Sequence, residues 1–462
     1  MSKTGEAEQM KQNNITVPLH YVLFNGMRHA KNPIYLITKT LNTFNTSTYH
    51  LQTGKTRRML TQDPEIINHI LQKNHKNYFK SKIVTDTLSK YAGKGILTTN
   101  GDYWLKQRRL IQPGFHKKKI ENLLSDMHNV ITDMMDDIEF KISEGNHEID
   151  ILDEMTKMTL RIVSKALFST DISEEQINTL KEGVQSLQDI TLKEVQSPFL
   201  SFWRKLSGLQ KRSEDHLEAI YKMITGYIKE RRSDPNPPSD LMTMLLGARY
   251  EGTDIGMDDQ QILDEILIIF VAGFETTTNA LTFCLYLLSQ HPKVLSKLQD
   301  ELSEFELDAN PSMREVMGMQ YTTQVISEAM RLYPPAWFMD REAIEEEYIG
   351  EEKVSKGEII ALYTFGLHRS ADYWEDPDSF IPERFSEENK SKIAANSYIP
   401  FGKGPRLCIG SQFAQMEMNL VLAQFIKRFS FKLIEPYSLE LDTKITIRPK
   451  HGMPMMLNMR EN

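Results

Sequence analysis

The chain predicts a mainly α fold, a large helical body with a small β-rich lobe, on three observations. Helical periodicity of apolar residues dominates from about 101 to 305. An alternating hairpin pattern covers 48–60, and short runs rich in Ile, Val and Tyr fill 341–362. No stretch reads as a long flexible linker, so residues 1–462 are expected to form one domain in which 1–31 is an N-terminal extension.

Each element has a local reason. Ile15 to Phe24 is the most apolar part of the N-terminus, but Pro18 and His20 break it and it is too short to cross a bilayer. Neither a membrane anchor nor a secretion signal is expected, which points to the cytoplasm. Asn32 to Phe44 has helical spacing, and Thr48–Gln52 and Thr56–Leu60 flank a turn at Thr53-Gly54-Lys55. Asp63-Pro64-Glu65 supplies an N-cap, a proline at the first helical position and an acid in the first turn. Asp258 to Ser289 reads as one unusually long helix, and Ser233 to Pro238 as a surface connection. After the strands of 341–362, with a turn at Ser355-Lys356-Gly357, Asp376 to Pro400 has no period and Ile409 to Arg428 is again helical.

Composition excludes several classes. With 40% hydrophobic residues the chain can bury a large core and an apolar cofactor. Two cysteines, Cys284 and Cys408, cannot make a disulfide framework or a four-ligand zinc site, which fits a reducing compartment. A net charge of −8 gives no sign of nucleic-acid binding. The 12 histidines show no recurring ligand spacing, and the 24 methionines read as core filler.

Four constellations carry chemistry. Phe401 to Gly410 sets Cys408 in a glycine-flanked loop before a helix, whose N-terminal N–H groups and dipole favour a thiolate able to hold iron. Gly402, Gly404 and Gly410 would let that backbone lie against a flat macrocycle. Ala272-Gly273-Phe274-Glu275-Thr276-Thr277-Thr278 is a poor mid-helix sequence, and local widening of the helix is expected there. Glu328 and Arg331 are three apart on one helical face, with Pro382-Glu383-Arg384-Phe385 between them and Cys408. Trp104 and Arg108 form a W-x-x-x-R pair. Each of the last three has an ordinary structural reading when taken alone: self-satisfied threonines, a surface ion pair, a solvated arginine.

Together these motifs resemble the cytochrome P-450 family of haem-thiolate monooxygenases, from roughly Asn32 to the C-terminus, and the soluble bacterial type in particular. The wording around Arg331-Leu332-Tyr333-Pro334-Pro335-Ala336 is closest to the fatty-acid-hydroxylase-like branch. The resemblance implies the cytochrome P450 fold and haem b (iron protoporphyrin IX) with Cys408 as the iron ligand. Trp104, Arg108, Arg341 and Arg406 would hold the propionates, Phe401 and Gly402 would pack on the thiolate side, and Ala272 would pass over the oxygen side. Thr276 and Glu275 would be the catalytic pair delivering protons to bound dioxygen. Glu328, Arg331 and Arg384 would form a structural network. Ile83, Val84, Leu88, Val271, Ala336, Trp337, His451 and Met453 would face the substrate pocket.

The implied reaction inserts one oxygen atom of dioxygen into a C–H bond of a small molecule, giving hydroxylation or O-demethylation. The substrate would be a fatty acid or terpenoid, or alternatively a methoxylated compound such as a sugar ether. The chain runs only about fifty residues past Cys408, so electrons are expected from a separate ferredoxin or flavodoxin with its reductase. That partner would dock near Lys106, Arg109, Lys117, Lys118, Lys119 and Lys403 on a monomer. Two rivals are a peroxygenase, whose members usually lack the acid–threonine pair, and a haem-thiolate sensor, in which that pair would be idle.

Overall fold

The computed structural model describes residues 15–29, 32–54, 56–196, 209–306 and 311–460. The chain divides into two compact units, each assembled from separated segments. One holds the chain up to Ser81 with Trp337–Pro377 and Ala394–Arg406; the other holds Lys82–Ala336, Asp378–Ile393 and Leu407 onward.

The first unit is built on a six-stranded sheet in the order Ile15–Val17, Thr48–Thr53, Thr56–Thr61, Ile359–Leu362, Met339–Ala343, Tyr78–Phe79. The hairpin Thr48–Thr53/Thr56–Thr61 pairs Thr48 with Thr61 and His50 with Met59, and Gly54 takes the positive φ its turn requires. Period-2 alternation puts Met59, Ile360 and Leu362 on one face, where they meet Ile66, Ile67 and Ile70. Those isoleucines follow the expected cap: Asp63 Oδ1 accepts from the N–H groups of Glu65 and Ile66 at 2.9 and 3.0 Å. Of the expected N-terminal extension, residues 1–14 and 30–31 lie outside the described residues, as does Lys55 of the hairpin turn. Ile15–Val17 is no loose appendage, since it pairs in parallel with Tyr49–Leu51.

The second unit is helical. Its central element, Asp259–Gln290, is capped by Asp258, whose side chain accepts from Gln261 N–H. Ile262, Ile266 and Phe270 of this helix pack against Leu160, Val163 and Leu167 of Ile151–Phe168 in one apolar cluster. This helix is long and apolar enough to cross a membrane, but most of its apolar window is buried inside the protein, as in a core helix. The expected widening over Ala272–Thr278 does not occur: the segment stays α-helical. Thr276 and Thr277 do bond back, to the carbonyls of Ala272 and Gly273 at 2.8 and 3.0 Å, but as additional acceptor contacts that leave the helix unbroken. A three-stranded sheet, Phe429–Leu433 with Pro454–Met459 and Glu148–Asp150, and a hairpin, Leu441–Thr443 with Ile447–Pro449, complete the unit.

Candidate active site

Cys408 lies in the loop that ends at Gly410, the residue before the helix Ser411–Arg428. Its side chain keeps an exposed face although protein surrounds it on most sides. That surrounding pushes the thiol up, while the Gly410 N–H and the Arg108 guanidinium pull it down, as a thiolate ligand needs. Arg108 is fixed in turn by donating Nη1–H to the Leu407 carbonyl at 3.0 Å. It sits one turn beyond the buried Trp104 on the helix Gly101–Ile111.

Apolar side chains are left uncovered next to this thiol in the chain and on the core helix of the same unit. Leu407 is 42% exposed. In the middle of the core helix, Ala272 is exposed and Val271, Gly273 and Thr276 are only half-buried. A soft anionic ligand, a nearby guanidinium and uncovered apolar surface make a donor set that fits a haem.

The first unit, taken by itself, holds an unusual cation. Arg341 is buried, yet among the described residues the Asp340 carbonyl, at 2.5 Å from Nη1, is the only acceptor for its five N–H donors. Burial pushes its pKa down to about 10, and the Asp340 carboxylate offsets this in part. A guanidinium so poorly satisfied suits an incoming carboxylate such as a propionate. Phe401 and Arg406 are half-buried in the same unit. Gly402 and Gly404 have φ of +74° and +69°, so the tight turns are real. At Gly404 the reason differs from the expected approach of a cofactor: a Cβ there would lie 2.0 Å from the Leu71 carbonyl oxygen.

Glu275 is buried on the central helix with Gln188 Nε2–H donating to Oε2 and the Thr446 hydroxyl donating to Oε1 at 3.0 Å. Burial pushes its pKa up, against the pull of Gln188 and Thr446. It forms part of the wall of a polar cavity of about 240 Å³ that also touches Asp153, Lys181, Asn279 and Arg448. Gln188 and Thr446 had no signal in the sequence; an ordinary Gln and Thr acquire meaning only from the partner they face.

The structure brings Glu328, Arg331 and Arg384 together. Arg331 is fully buried and grips the Glu328 carboxylate with Nε at 2.7 Å and Nη2 at 2.8 Å; Arg384 Nε approaches at 3.3 Å. The Ile381 N–H adds a bond at 3.0 Å, and Arg331 reaches the Ser379 carbonyl at 3.0 Å.

The expected pocket residues separate. Ile83, Val84, Val271 and Ala336 are half-buried. Leu88 is taken up by a core cluster with Tyr91, Leu187 and Ile268. Trp337 is buried in the first unit, edge-on to Phe338 at 4.5 Å, and Met453 is fully buried. His451 is exposed and lies 3.6 Å from Glu440. Among the described residues no group of three or more His, Cys, Asp or Glu is arranged to hold a metal ion.

Comparison with known proteins gives a consistent result. The sequence profile of the cytochrome P450 family matches residues 16–454. A cyclooctat-9-en-7-ol 5-monooxygenase from Streptomyces melanosporofaciens is 30% identical over 382 residues, covering 82% of this chain and 81% of its own. The protein LUTEIN DEFICIENT 5, chloroplastic, of Arabidopsis thaliana is 28% identical over 438 residues, covering 89% and 72%. In structure, the heme domain of cytochrome P450DA matches with a TM-score of 0.84 at 21% identity, over 97% of this chain and 98% of that one.

Proposed function

This chain belongs to the cytochrome P450 family and is a cytochrome P450 monooxygenase, and we propose that its substrate is an apolar alicyclic or isoprenoid molecule oxidised at a C–H bond. When bound, haem b would supply the activation of dioxygen, a chemistry that thiolate ligation favours. Cys408 holds the group, with the Gly410 N–H and Arg108 stabilising its charge. Trp104 and Arg108 are the residues of the same unit that would receive its propionates, and the buried Arg341 suits the same role by its own chemistry. Thr276 keeps a hydroxyl whose lone pairs remain open to a water while its proton is given to Ala272. Glu275 is the acid from which protons are replenished.

The observation that carries this reading is Cys408, an exposed thiol with a backbone N–H and a guanidinium directed to it. Reduced protein under carbon monoxide should give the red-shifted Soret band typical of a thiolate ligand, and Cys408→His should lose it. An unchanged spectrum in Cys408→Ala would overturn the assignment. Support for the substrate class comes from the apolar character of Ile83, Val84, Val271 and Ala336 and from the similarity to a cyclooctat-9-en-7-ol 5-monooxygenase. With His451 on the surface, a sugar ether loses its polar partner. A ligand screen on the ferric protein, read by the spin-state change when water leaves the iron, should favour alicyclic hydrocarbons and alcohols over methoxylated sugars.

Electrons come from a separate ferredoxin or flavodoxin. Lys106, Lys117, Lys118 and Lys119 are exposed on the helices Gly101–Ile111 and Lys117–Asn122, and Arg109 is exposed with Glu251 at 3.4 Å. That concentration of positive charge on a chain of net charge −8 suits an acidic carrier.

A further inference from the structure

Glu275 stands in a chain of hydrogen bonds whose donors and acceptors balance in one protonation state. Asn279 Nδ2–H donates to Thr446 Oγ1 at 3.3 Å, and Thr446 spends its own proton on Glu275 Oε1 at 3.0 Å. On the other side, the Gln188 carboxamide abuts Glu275 Oε2. With the amide nitrogen facing the carboxyl, Gln188 Oε1 is buried without a partner. A half-turn of the carboxamide exchanges N and O at almost no steric cost, since the two ends are nearly isosteric. Oε1 then faces Glu275 Oε2 and can only accept, so the carboxyl must carry the proton. The released amide N–H groups turn to the side from which Oε1 came, and Thr191, three residues further along the same helix, has a buried oxygen that also lacks a partner.

The surrounding charges agree. The cations near Glu275 are already engaged by other acids: Lys444 by Asp189 at 2.6 Å, Arg448 by Asp442 at 3.1 Å, and Lys181 by Asp153. Lys450 at the cavity edge is held by Glu440 at 2.7 Å. A buried carboxylate with no cation of its own is costly, and the neutral acid is the favoured form. The cavity beside it has space for several waters at about 30 Å³ each.

We propose that Gln188 and Thr446 are positioning residues that hold Glu275 as a neutral carboxylic acid, its O–H directed to Gln188 Oε1, and that water in the adjoining polar cavity replaces each proton it gives up. The inference rests on the reading of Glu275 as the proton source for the bound site, and its test is separable from that reading. Infrared spectra of the haem-loaded, substrate-free protein at neutral pH should contain a protonated-carboxyl C=O band that Glu275→Gln abolishes. Gln188→Met and Thr446→Val should each move the band to higher frequency, while both keep the wild-type carbon monoxide spectrum. Transfer to D2O should shift it at once, because cavity water reaches it. Identical wild-type and Glu275→Gln spectra in this region, or a band that neither variant moves, would overturn the clamp, and a band that fails to exchange would overturn the cavity route. If the band behaves as stated but Glu275→Gln leaves coupling of reductant to product unchanged, the clamp is supported and the parent reading of Glu275 falls.

Discussion

Glu328→Gln should destabilise this protein more than any comparable surface change, because one carboxylate ties the helix Gln320–Leu332 to the stretch Ile381–Arg384. Its two oxygens receive Arg331 Nε and Nη2 at 2.7 and 2.8 Å, the Ile381 N–H at 3.0 Å and Arg384 Nε at 3.3 Å. Arg331 is wholly inaccessible to solvent, so removal of the carboxylate charge leaves a guanidinium buried and unpaired by its principal partner. Breaking one side of such a pair costs about 3–5 kcal/mol. The Arg384 contact is longer and its side chain 12% exposed, so Arg384→Gln should cost only on the order of 1 kcal/mol. Against a total stability of about 5–15 kcal/mol, the first loss is severe. The same reasoning says that deleting both charges of the fully buried pair, Glu328→Leu with Arg331→Met, recovers much of it, since only the partly exposed Arg384 guanidinium then remains. Urea unfolding of haem-loaded wild type, Glu328→Leu, Arg331→Met and the double variant, followed by circular dichroism, measures the cycle, with Glu328→Gln alongside. A loss below about 1 kcal/mol for Glu328→Gln, or strictly additive single losses, would refute this account of the network.

Three further outcomes follow from individual side chains. Thr276→Ala should retain substrate affinity, measured by the spin-state titration, but send a larger share of reducing equivalents to hydrogen peroxide; equal coupling would remove Thr276 from proton delivery. Reduction by an acidic ferredoxin, measured by stopped flow, should slow with salt as the Debye length falls from about 10 Å at 0.1 M to about 3 Å at 1 M, and a Lys117/Lys118/Lys119→Glu variant should be slow at all salt concentrations. Burial opposes charge on His50, but its bonds to Glu352 at 3.0 Å and Glu358 at 2.9 Å prevail and hold its pKa above 6.5. Its contribution to stability is therefore complete below the unfolded value and lost as pH rises through the higher folded one. The melting-temperature gap between wild type and His50→Gln should shrink as pH rises above the ordinary imidazole range, and a constant gap would contradict the assignment.

What could be read from the sequence was what neighbours along the chain determine. The cysteine loop is legible because ligand, glycines and helix start are contiguous, and Glu328 and Arg331 because an i, i+3 pair shares a face before any tertiary contact forms. The Asp63 cap and the hairpin at Gly54 are local in the same sense. Where a residue's purpose is set by something distant, local reasoning assigns the wrong cause or none. Gly404 was legible as a position needing glycine, yet the obstacle is the Leu71 carbonyl. The strand Glu148–Asp150 pairs with Pro454–Met459, some three hundred residues away, and three residues carry too short an alternation to announce it.

The central helix shows why the chemistry lies between these limits. Its threonines signal function by being poor helix formers, but low propensity specifies only that something compensates, and in this fold burial and back-bonding do so without distorting the helix. The position of Glu275 follows from its place in the A-G-x-E-T-T segment, whereas its protonation state is decided by Gln188 on Glu174–Gln196 and by Thr446 before Ile447–Pro449. An acid can thus remain at one position in a helix while residues on other elements determine how readily it yields its proton. Two chains with the same acid–threonine pair need not share a proton supply, and comparing them requires the partners of the acid as well as the motif.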